Sequence, residues 1–256
     1  ARVKLLSPAE LVRRLHGPWL LSTDGLRDVS ERQRTLRGAI NWSYELLTPA
    51  EQMLLVRLAV FVGGCTLAAA ERMCEGVLSP AQVFASITSL LDKNLLHREA
   101  GVPGETRYVM LETVREYGME RLAQSAEQQQ LMLQRHTAFF VHLAERSASH
   151  LRAQEQLEWI DRLTMEQGNL RSALAKSLQQ GWGEMVLRLT SALFYYWHIR
   201  GFEAEGREWI RRALPLAENN PPLHQSSWYT RTLLGDAVLR IWDADSAARH
   251  ALLNQA

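Results

Sequence analysis

The residue types that do chemistry are present in this chain, but their spacing does not assemble them. His136, His142 and His150 lack the i, i+4 separation that lets two imidazoles on one helix share a zinc ion. Cys65 and Cys74 are the only cysteines, and neither sits in a recognised nucleophile motif. If the stretch between them is mostly helical they lie too far apart to bridge, so reduced and buried thiols are expected. There is no Gly-x-Ser-x-Gly elbow. Glu155, Glu158 and Asp161 share a helix face, a pattern that is ordinarily a wetted surface. Nothing matches Gly-x-x-x-x-Gly-Lys-Ser/Thr, and no Gly is followed by Lys, so the backbone cradle for a nucleoside triphosphate is missing. The sequence therefore predicts no catalytic residue, no metal and no cofactor held by this chain.

Binding is the better reading of what remains. Arg27, Arg32, Arg34 and Arg37 form a basic cluster interrupted only by Asp28 and Glu31. It reads as a solvated helix start, with contact to a nucleotide or an acidic surface as the alternative. The run Phe194, Tyr195, Tyr196, Trp197, His198 carries more aromatic area than one inward stripe can hide. Phe194 and Trp197 are expected in the core. Tyr195, Tyr196 and His198 are expected along an inner groove, where aromatic rings supply much of the contact energy of interfaces, with packing against a neighbouring repeat as the alternative. Trp209 and Trp228 carry the same two readings.

The elements that would position these residues are mostly helices. Ser7-Pro8-Ala9-Glu10 is a capping-box pattern that starts a helix at Pro8, and Gly17-Pro18 ends it. Glu31 to Leu47 has helical spacing, with Leu36, Ile40, Tyr44 and Leu47 on one face. Thr48-Pro49-Ala50-Glu51 repeats the capping box before Met53 to Phe61, apolar nearly all round except Arg57 and so placed in the middle of a domain. Gly63-Gly64 breaks it, Thr66 caps a short helix to Cys74, and Ser79 caps another that lasts to about Lys93. Leu95 to Arg98 and Arg107 to Met110, with Gly101 and Gly104 between them, read as a β-hairpin. Three helices followed by a two-stranded wing is the winged-helix order. Ser125 to Gln130 is a polar break and marks the expected domain boundary. Beyond it, Leu131 to His150, Gln154 to Met165, Leu170 to Gln179, Glu184 to Arg200 and Glu203 to Ala217 read as helices. Gly201, Gly206, Ile210 and Ala213 follow the second-helix spacing of a tetratricopeptide repeat, and Leu234, Gly235, Ala247 and Ala251 repeat it more faintly.

A DNA-binding winged helix normally reads bases from its third helix. Here Pro80 to Lys93 offers Gln82, Ser86, Thr88 and Ser89, with Asp92 and Lys93 at its end, and only one cation. Phosphate binding needs several Lys or Arg, so this helix is expected to pack rather than to read DNA. Composition agrees: 256 residues, 46% apolar, 22% charged and a formal charge of +1 describe two modest domains without a global field for nucleic acid or membrane. The longest apolar stretch, Met53 to Cys65, contains Arg57 and is too short to cross a bilayer. No secretory signal is visible, and the expected location is cytoplasmic. The chain opens at Ala1 and stops at Ala256 inside expected helices, so flanking sequence is expected on both sides.

The runs RQRTLRGAINWSYELLTPAEQMLLVRLAVFVGGCTLAAAERMC, SITSLLDKNLLHRE and RYVMLETVREYGMERL resemble the region that follows the ATPase in bacterial STAND regulators, which include large LuxR-type and antibiotic-regulatory-type activators. EQGNLRSALAKSL resembles the start of their repeat sensor, and ARVKLLSPAEL resembles the last helix of the nucleotide-binding lid. The resemblance implies an upstream P-loop module that holds ADP or ATP, a winged helix that folds over it, and repeats that sense an inducer or protein partner. More distant relatives end the wing in Met-His-Asp, whose His contacts the ADP phosphate. Met110, Leu111 and Glu112 occupy those positions here, and Leu111 cannot donate a hydrogen bond. Arg34 and Arg37 are, on the same resemblance, candidates for contact with the nucleotide or its module.

The resulting expectation is a mainly α chain: a lid remnant and linker over residues 1–29, a winged-helix domain over 30–126, and tetratricopeptide-like helical hairpins of an α-solenoid over 127–256. Its function would be a non-catalytic relay between an ATPase module and a sensor. Its partners would be that module and an inducer or protein bound at Tyr195, Tyr196, His198 and Trp209. DNA would be met through other domains and no membrane would be involved, with oligomerisation on activation left open. The alternative is a stand-alone DNA-binding winged-helix factor with a helical effector domain.

Overall fold

The computed structural model describes residues 31–218 and 220–253, with side chains over 36–218 and 220–241. The chain divides into two compact units, Ala1–Leu46 and Leu47–Ala256. In the first, the described element is α1 (Glu31–Glu45), along which Asn41 donates to the Glu45 carboxylate at 2.7 Å and the Ser43 hydroxyl to the Ala39 carbonyl at 2.8 Å. The lid-like segment 1–29 and Arg27 lie outside the described residues.

The second unit begins with α2 (Pro49–Leu58), set by a capping box: Thr48 accepts from the Glu51 amide, and the Glu51 carboxylate accepts from the Thr48 amide at 2.7 Å. Leu54, Leu55 and Leu58 are buried on α2, which packs against α4 (Pro80–Asp92) and α5 (Glu112–Leu122). Between α2 and α4 the chain makes β1 (Cys65–Thr66) and α3 (Leu67–Cys74), so α3 and α4 form a helix-turn-helix. Ser79 caps α4, with Gln82 returning the capping-box bond at 2.8 Å. Strands β2 (His97–Ala100) and β3 (Thr106–Val109) make the antiparallel wing, and β1 joins the far edge of β3 to give the order β1-β3-β2. The registers Cys65↔Tyr108 and Arg98↔Tyr108 place β3 in the centre.

Two local details depart from the sequence reading. The wing strands start and end about two residues away from the expected runs on the β2 side, because Asn94, at φ 55, turns the α4 terminus and the amides of Leu95 and Leu96 return to the Leu90 carbonyl. Leu95 and Leu96 are thereby buried as a helix end. Strand β1 was not expected at all, since two residues carry no alternation; it exists only because β3 runs beside it.

After α5, the polar stretch expected as a break is the opening of the long helix α6 (Ala126–His150), started by Ser125, whose hydroxyl accepts from the Gln128 amide. Then follow α7 (Gln156–Met165), α8 (Gln167–Gln179), α9 (Gly183–Arg200), α10 (Glu203–Ala213), the single turns α11 (Pro215–Glu218) and α12 (Pro221–His224), and α13 (Ser227–Leu253). The observed architecture is therefore the expected one of a winged helix followed by a helical array. No described helix is long and apolar enough to cross a membrane. Both cysteines are free and buried.

Helix α9 is the axis of the array, packed by α6, α8, α10 and α13. Gly206 of α10 lies so close to α9 that a Cβ there would sit 2.7 Å from the Trp197 ring and 2.8 Å from Leu239. That approach is why the expected small residue at this position matters. Ala247 and Ala251 of the fainter repeat lie beyond the described side chains. Replacing Gly206 by Val should lower stability by about 1–3 kcal/mol through overpacking. Urea denaturation of the chain is the check, with a lower midpoint at unchanged m-value expected; an unchanged midpoint would contradict the tight α9–α10 contact.

Candidate functional site

The densest polar constellation in the second unit lies where the wing meets the helical array. Arg107, on the central strand β3, is 6% exposed and points at Glu166, also 6% exposed, which stands at the break between α7 and α8. Its Nη1 and Nη2 donate to the two carboxylate oxygens at 2.6 and 3.1 Å. Its Nε donates to the Gly63 carbonyl at 2.6 Å and its Nη2 to the Gly64 carbonyl at 3.0 Å. Desolvating an ion pair is costly unless the remaining donors and acceptors are satisfied. Asn169, one turn along, completes this: its Nδ2 donates to Glu166 at 2.6 Å and to the Gly64 carbonyl at 3.0 Å, while its Oδ1 accepts the Val62 amide at 2.7 Å.

The backbone is shaped to the cluster. Gly64 has φ +88, and a Cβ on it would stand 2.5 Å from the Tyr108 carbonyl oxygen. Gly168 lets α8 approach the Val62 carbonyl, which a Cβ would meet at 3.0 Å. Because Asn169 commits its Nδ2 to two acceptors, its Oδ1 must face His136, and the His136 Nε2 donates to it at 3.3 Å. The His136 ring is 1% exposed and packs between Phe61 and Phe140 at centroid distances of 5.3 and 4.7 Å. Burial pushes its pKa down to about 4, against the opposing effect of the Asn169 bond, so the ring is neutral at pH 7. Burial, then the nearby Glu166 charge, raises the Cys65 thiol well above the usual range, which leaves it inert.

Two further clamps tie the winged helix to the same array. Arg162 of α7 pairs with Glu105 in the wing turn at 2.9 Å. Arg135 of α6 donates to the Met73 and Glu75 carbonyls at 3.2 and 2.9 Å, and Arg57 donates to Met73 at 2.8 Å, so two cations sit at the C-terminal end of α3. Winged helix and array are thus held at the wing strand, the wing turn and the helix-turn-helix.

The residues expected to bind are distributed differently. Leu111 and Glu112 are exposed at the start of α5, where Leu111 supplies no capping side chain, Glu112 pairs with Arg115 at 2.6 Å, and Met110 is buried. The Arg34 side chain lies outside the described ones, and Arg37 is exposed on α1. On α9, Phe194 and Trp197 are in the core as expected, but Tyr196 is 1% exposed and cannot line an open groove. The reason is that α9 is packed on several sides, so its buried arc is wider than a single stripe. Tyr195 and His198 are half-buried, the former under the Arg152 guanidinium at 4.7 Å, the latter facing Glu203 at 3.5 Å. Trp209 is half-buried on α10 and donates to Glu205 at 3.2 Å.

Helix α4 is instructive for what it displays. Ala81, Gln82, Phe84, Ala85 and Thr88 are exposed, and Phe84 is 56% exposed. Lys93, at its end, is committed to Glu51 at 2.7 Å. Sequence reasoning missed Arg107, Glu166 and Asn169 as a unit; the signal was the EQGN run beside the paired glycines, which only the fold connects. Among the described residues no group of His, Cys, Asp and Glu side chains could hold a metal ion.

Comparison with known proteins agrees with this fold. Residues 47–123 match the family model of the winged helix-turn-helix domain. The chain is 36% identical over 247 residues to the protein named "Putative HTH-type transcriptional regulator Rv0890c" of Mycobacterium tuberculosis and to its counterpart Mb0914c of Mycobacterium bovis, covering 96% of this chain and 28% of each relative. It is 32% identical over 129 residues to the uncharacterized protein Rv0894 of Mycobacterium tuberculosis, covering 50% of this chain and 33% of that protein. The chain therefore spans less than a third of the length of the relatives with which it aligns almost throughout. No solved structure matches it.

Two outcomes test the junction. Arg107→Ala strands the buried Glu166 charge and should cost about 3–5 kcal/mol, whereas the paired change Arg107→Leu with Glu166→Leu should recover most of that loss; denaturant midpoints of the two variants decide. The second concerns acid. The folded state holds His136 below its usual pKa, so the unfolded chain takes up the proton first, and stability falls as pH drops from about 6.5 to about 4, by about 3 kcal/mol in total. His136→Gln should flatten the pH dependence of the unfolding midpoint in that window, and an equally steep profile would refute the assignment.

Proposed function

We propose that this chain is the relay segment of a longer transcriptional regulator, in which the winged helix transmits a state change between a nucleotide-holding module and a helical receptor. The observation that carries this reading is the direction of the wing. Its central strand and its turn are bound to α7 and α8 through Arg107–Glu166 and Glu105–Arg162, rather than standing free to embrace a duplex. The solvent face of α4 lends partial support: Ala81, Phe84 and Ala85 offer neither phosphate contacts nor base-edge donors, Gln82 and Thr88 are polar side chains among them, and no Lys or Arg lies along the helix.

On this reading the chain does no chemistry. The array over α6–α13 acts as a tetratricopeptide-like sensor that receives an inducer or protein partner in the cytoplasm. A P-loop module elsewhere in the longer protein holds ADP or ATP, and DNA is met by another domain. A receptor event must bind one state more tightly than the other, by on the order of 5 kcal/mol for a nearly complete swing. The three clamps favour transmission, because a tilt of the array carries the winged helix with it.

A second reading, direct DNA binding by this chain, is favoured by the winged helix-turn-helix match, by the relatives' names and by the solvent exposure of α4. The two separate cleanly. The relay reading expects the chain to bind duplex DNA no better than about 10⁻⁴–10⁻⁶ M at physiological salt. Fluorescence anisotropy with duplex DNA across a salt series measures this, and nanomolar binding with a steep salt slope would sink the relay in favour of DNA recognition.

A further inference from the structure

Helix α10 presents a strip of side chains that the junction does not use. Glu205, Trp209 and Arg212 stand at i, i+4 and i+7, one face over two turns or about 10 Å. Arg171 of α8 reaches across to Glu205, donating from Nε and Nη2 at 2.7 and 2.5 Å, and the Trp209 indole donates to the same carboxylate at 3.2 Å. The Arg212 guanidinium lies over the Trp209 ring at 5.3 Å. At the other end, Arg200 lies over Phe202 at 5.9 Å, and the Tyr196 hydroxyl is within electrostatic range of Arg200, Arg171 and Glu205. Arg200 and Arg212 are exposed.

The charge balance is one-sided. Glu205 is the carboxylate inside the strip, and Arg171 holds it ionised and neutralises it. Of the flanking acids, Glu203 faces His198 at 3.5 Å and Glu208 is bound to Arg211 at 2.7 Å. Arg200 and Arg212 are exposed over aromatic rings, and Glu208, bound to Arg211, lies within electrostatic range of Arg212. A stacked guanidinium is already oriented, so it loses little freedom when a carboxylate arrives.

We propose that the strip formed by Arg200, Arg171, Trp209 and Arg212 is a docking site for an acidic, extended polypeptide segment. This rests on the reading of the array as a receptor and names the chemistry of what it receives. A run of about 10 Å matches three extended residues. One carboxylate of that run would meet Arg212, an intervening side chain would lie against Trp209, and a second carboxylate further along the segment, beyond Glu205, would meet Arg200. With a formal charge of +1 on the whole chain, general attraction of an acidic peptide is small, so binding would be local.

The test titrates a fluorescein-labelled hexaglutamate peptide with the 256-residue chain and reads anisotropy. Saturable, salt-sensitive binding is expected. It should weaken about tenfold in the R200A/R212A pair, weaken in W209A, and persist in R72A/R98A, which removes the same charge from another surface. Absence of peptide binding, or equal loss in both arginine pairs, overturns the proposal. So does displacement of the peptide by low concentrations of inorganic phosphate, or tighter binding of a short duplex DNA that R200A/R212A abolishes. The relay reading would survive these failures unless the DNA signal itself was nanomolar and steeply salt-dependent, because it stands on the wing clamps and not on this strip.

Discussion

The buried pair between Arg107 and Glu166 is the interaction on which the arrangement of the second unit turns. An arginine on a wing strand would ordinarily be solvated, and burying it is tolerable only because every acceptor around it is in place: two carboxylate oxygens and two carbonyls of the Gly63-Gly64 turn. Those carbonyls are available because Gly64 adopts a positive φ that a side chain would resist. Glu166 is available because the helical path breaks there between α7 and α8. Asn169 then spends both ends of its amide on the same turn, and His136 is held neutral behind it. Loss of Arg107 leaves the Glu166 charge buried without its cation, and loss of Asn169 takes the bonds from the Val62 amide and the His136 ring.

That arrangement constrains what the winged helix can do. A winged helix that reads DNA needs its third helix and its wing on one accessible, cationic face. Here the central wing strand is turned to the array while the edge strand stays exposed, Lys93 is paired with Glu51, and the α4 surface shows Ala81, Phe84 and Ala85 beside Gln82 and Thr88. Burial and hydrogen bonds act in opposite directions on Glu51: burial alone would raise it, but bonds from Lys93, Ser89 and the Thr48 backbone hold it near pKa 2. It is therefore ionised throughout the neutral range and pairs with the part-exposed Lys93 ammonium at 2.7 Å. Arg135 and Arg57 likewise each direct Nη1 to carbonyls at the end of α3.

The array depends on close helix approach more than on charge. Phe194, Tyr196 and Trp197 are all buried because α9 has neighbours on several sides, and Gly206 lets α10 come within ring contact. Tyr196 keeps its hydroxyl near Thr164 at 3.3 Å, a polar tip on an otherwise enclosed ring. Of the two readings the sequence leaves for Tyr196, groove or packing, the fold takes the second.

The order of elements was legible from the chain alone. Capping boxes at Thr48 and Ser79, the glycine pairs and the helical spacing locate α2, α3, α4, the wing and the array, because these signals act between residues three or four apart. The absence of a P-loop and of zinc or nucleophile spacing is likewise a property of the chain. What distance in sequence hid was everything joined over long loops: the strand β1, whose partner lies more than 40 residues on; the pairing of Arg107 with a glutamate 59 residues away; and the burial of Tyr196. A charge looks solvated, and an aromatic exposed, until the fold brings the group that neutralises the one or covers the other. Local hydrogen bonding determined the elements, and desolvation, which depends on all neighbours at once, decided the site.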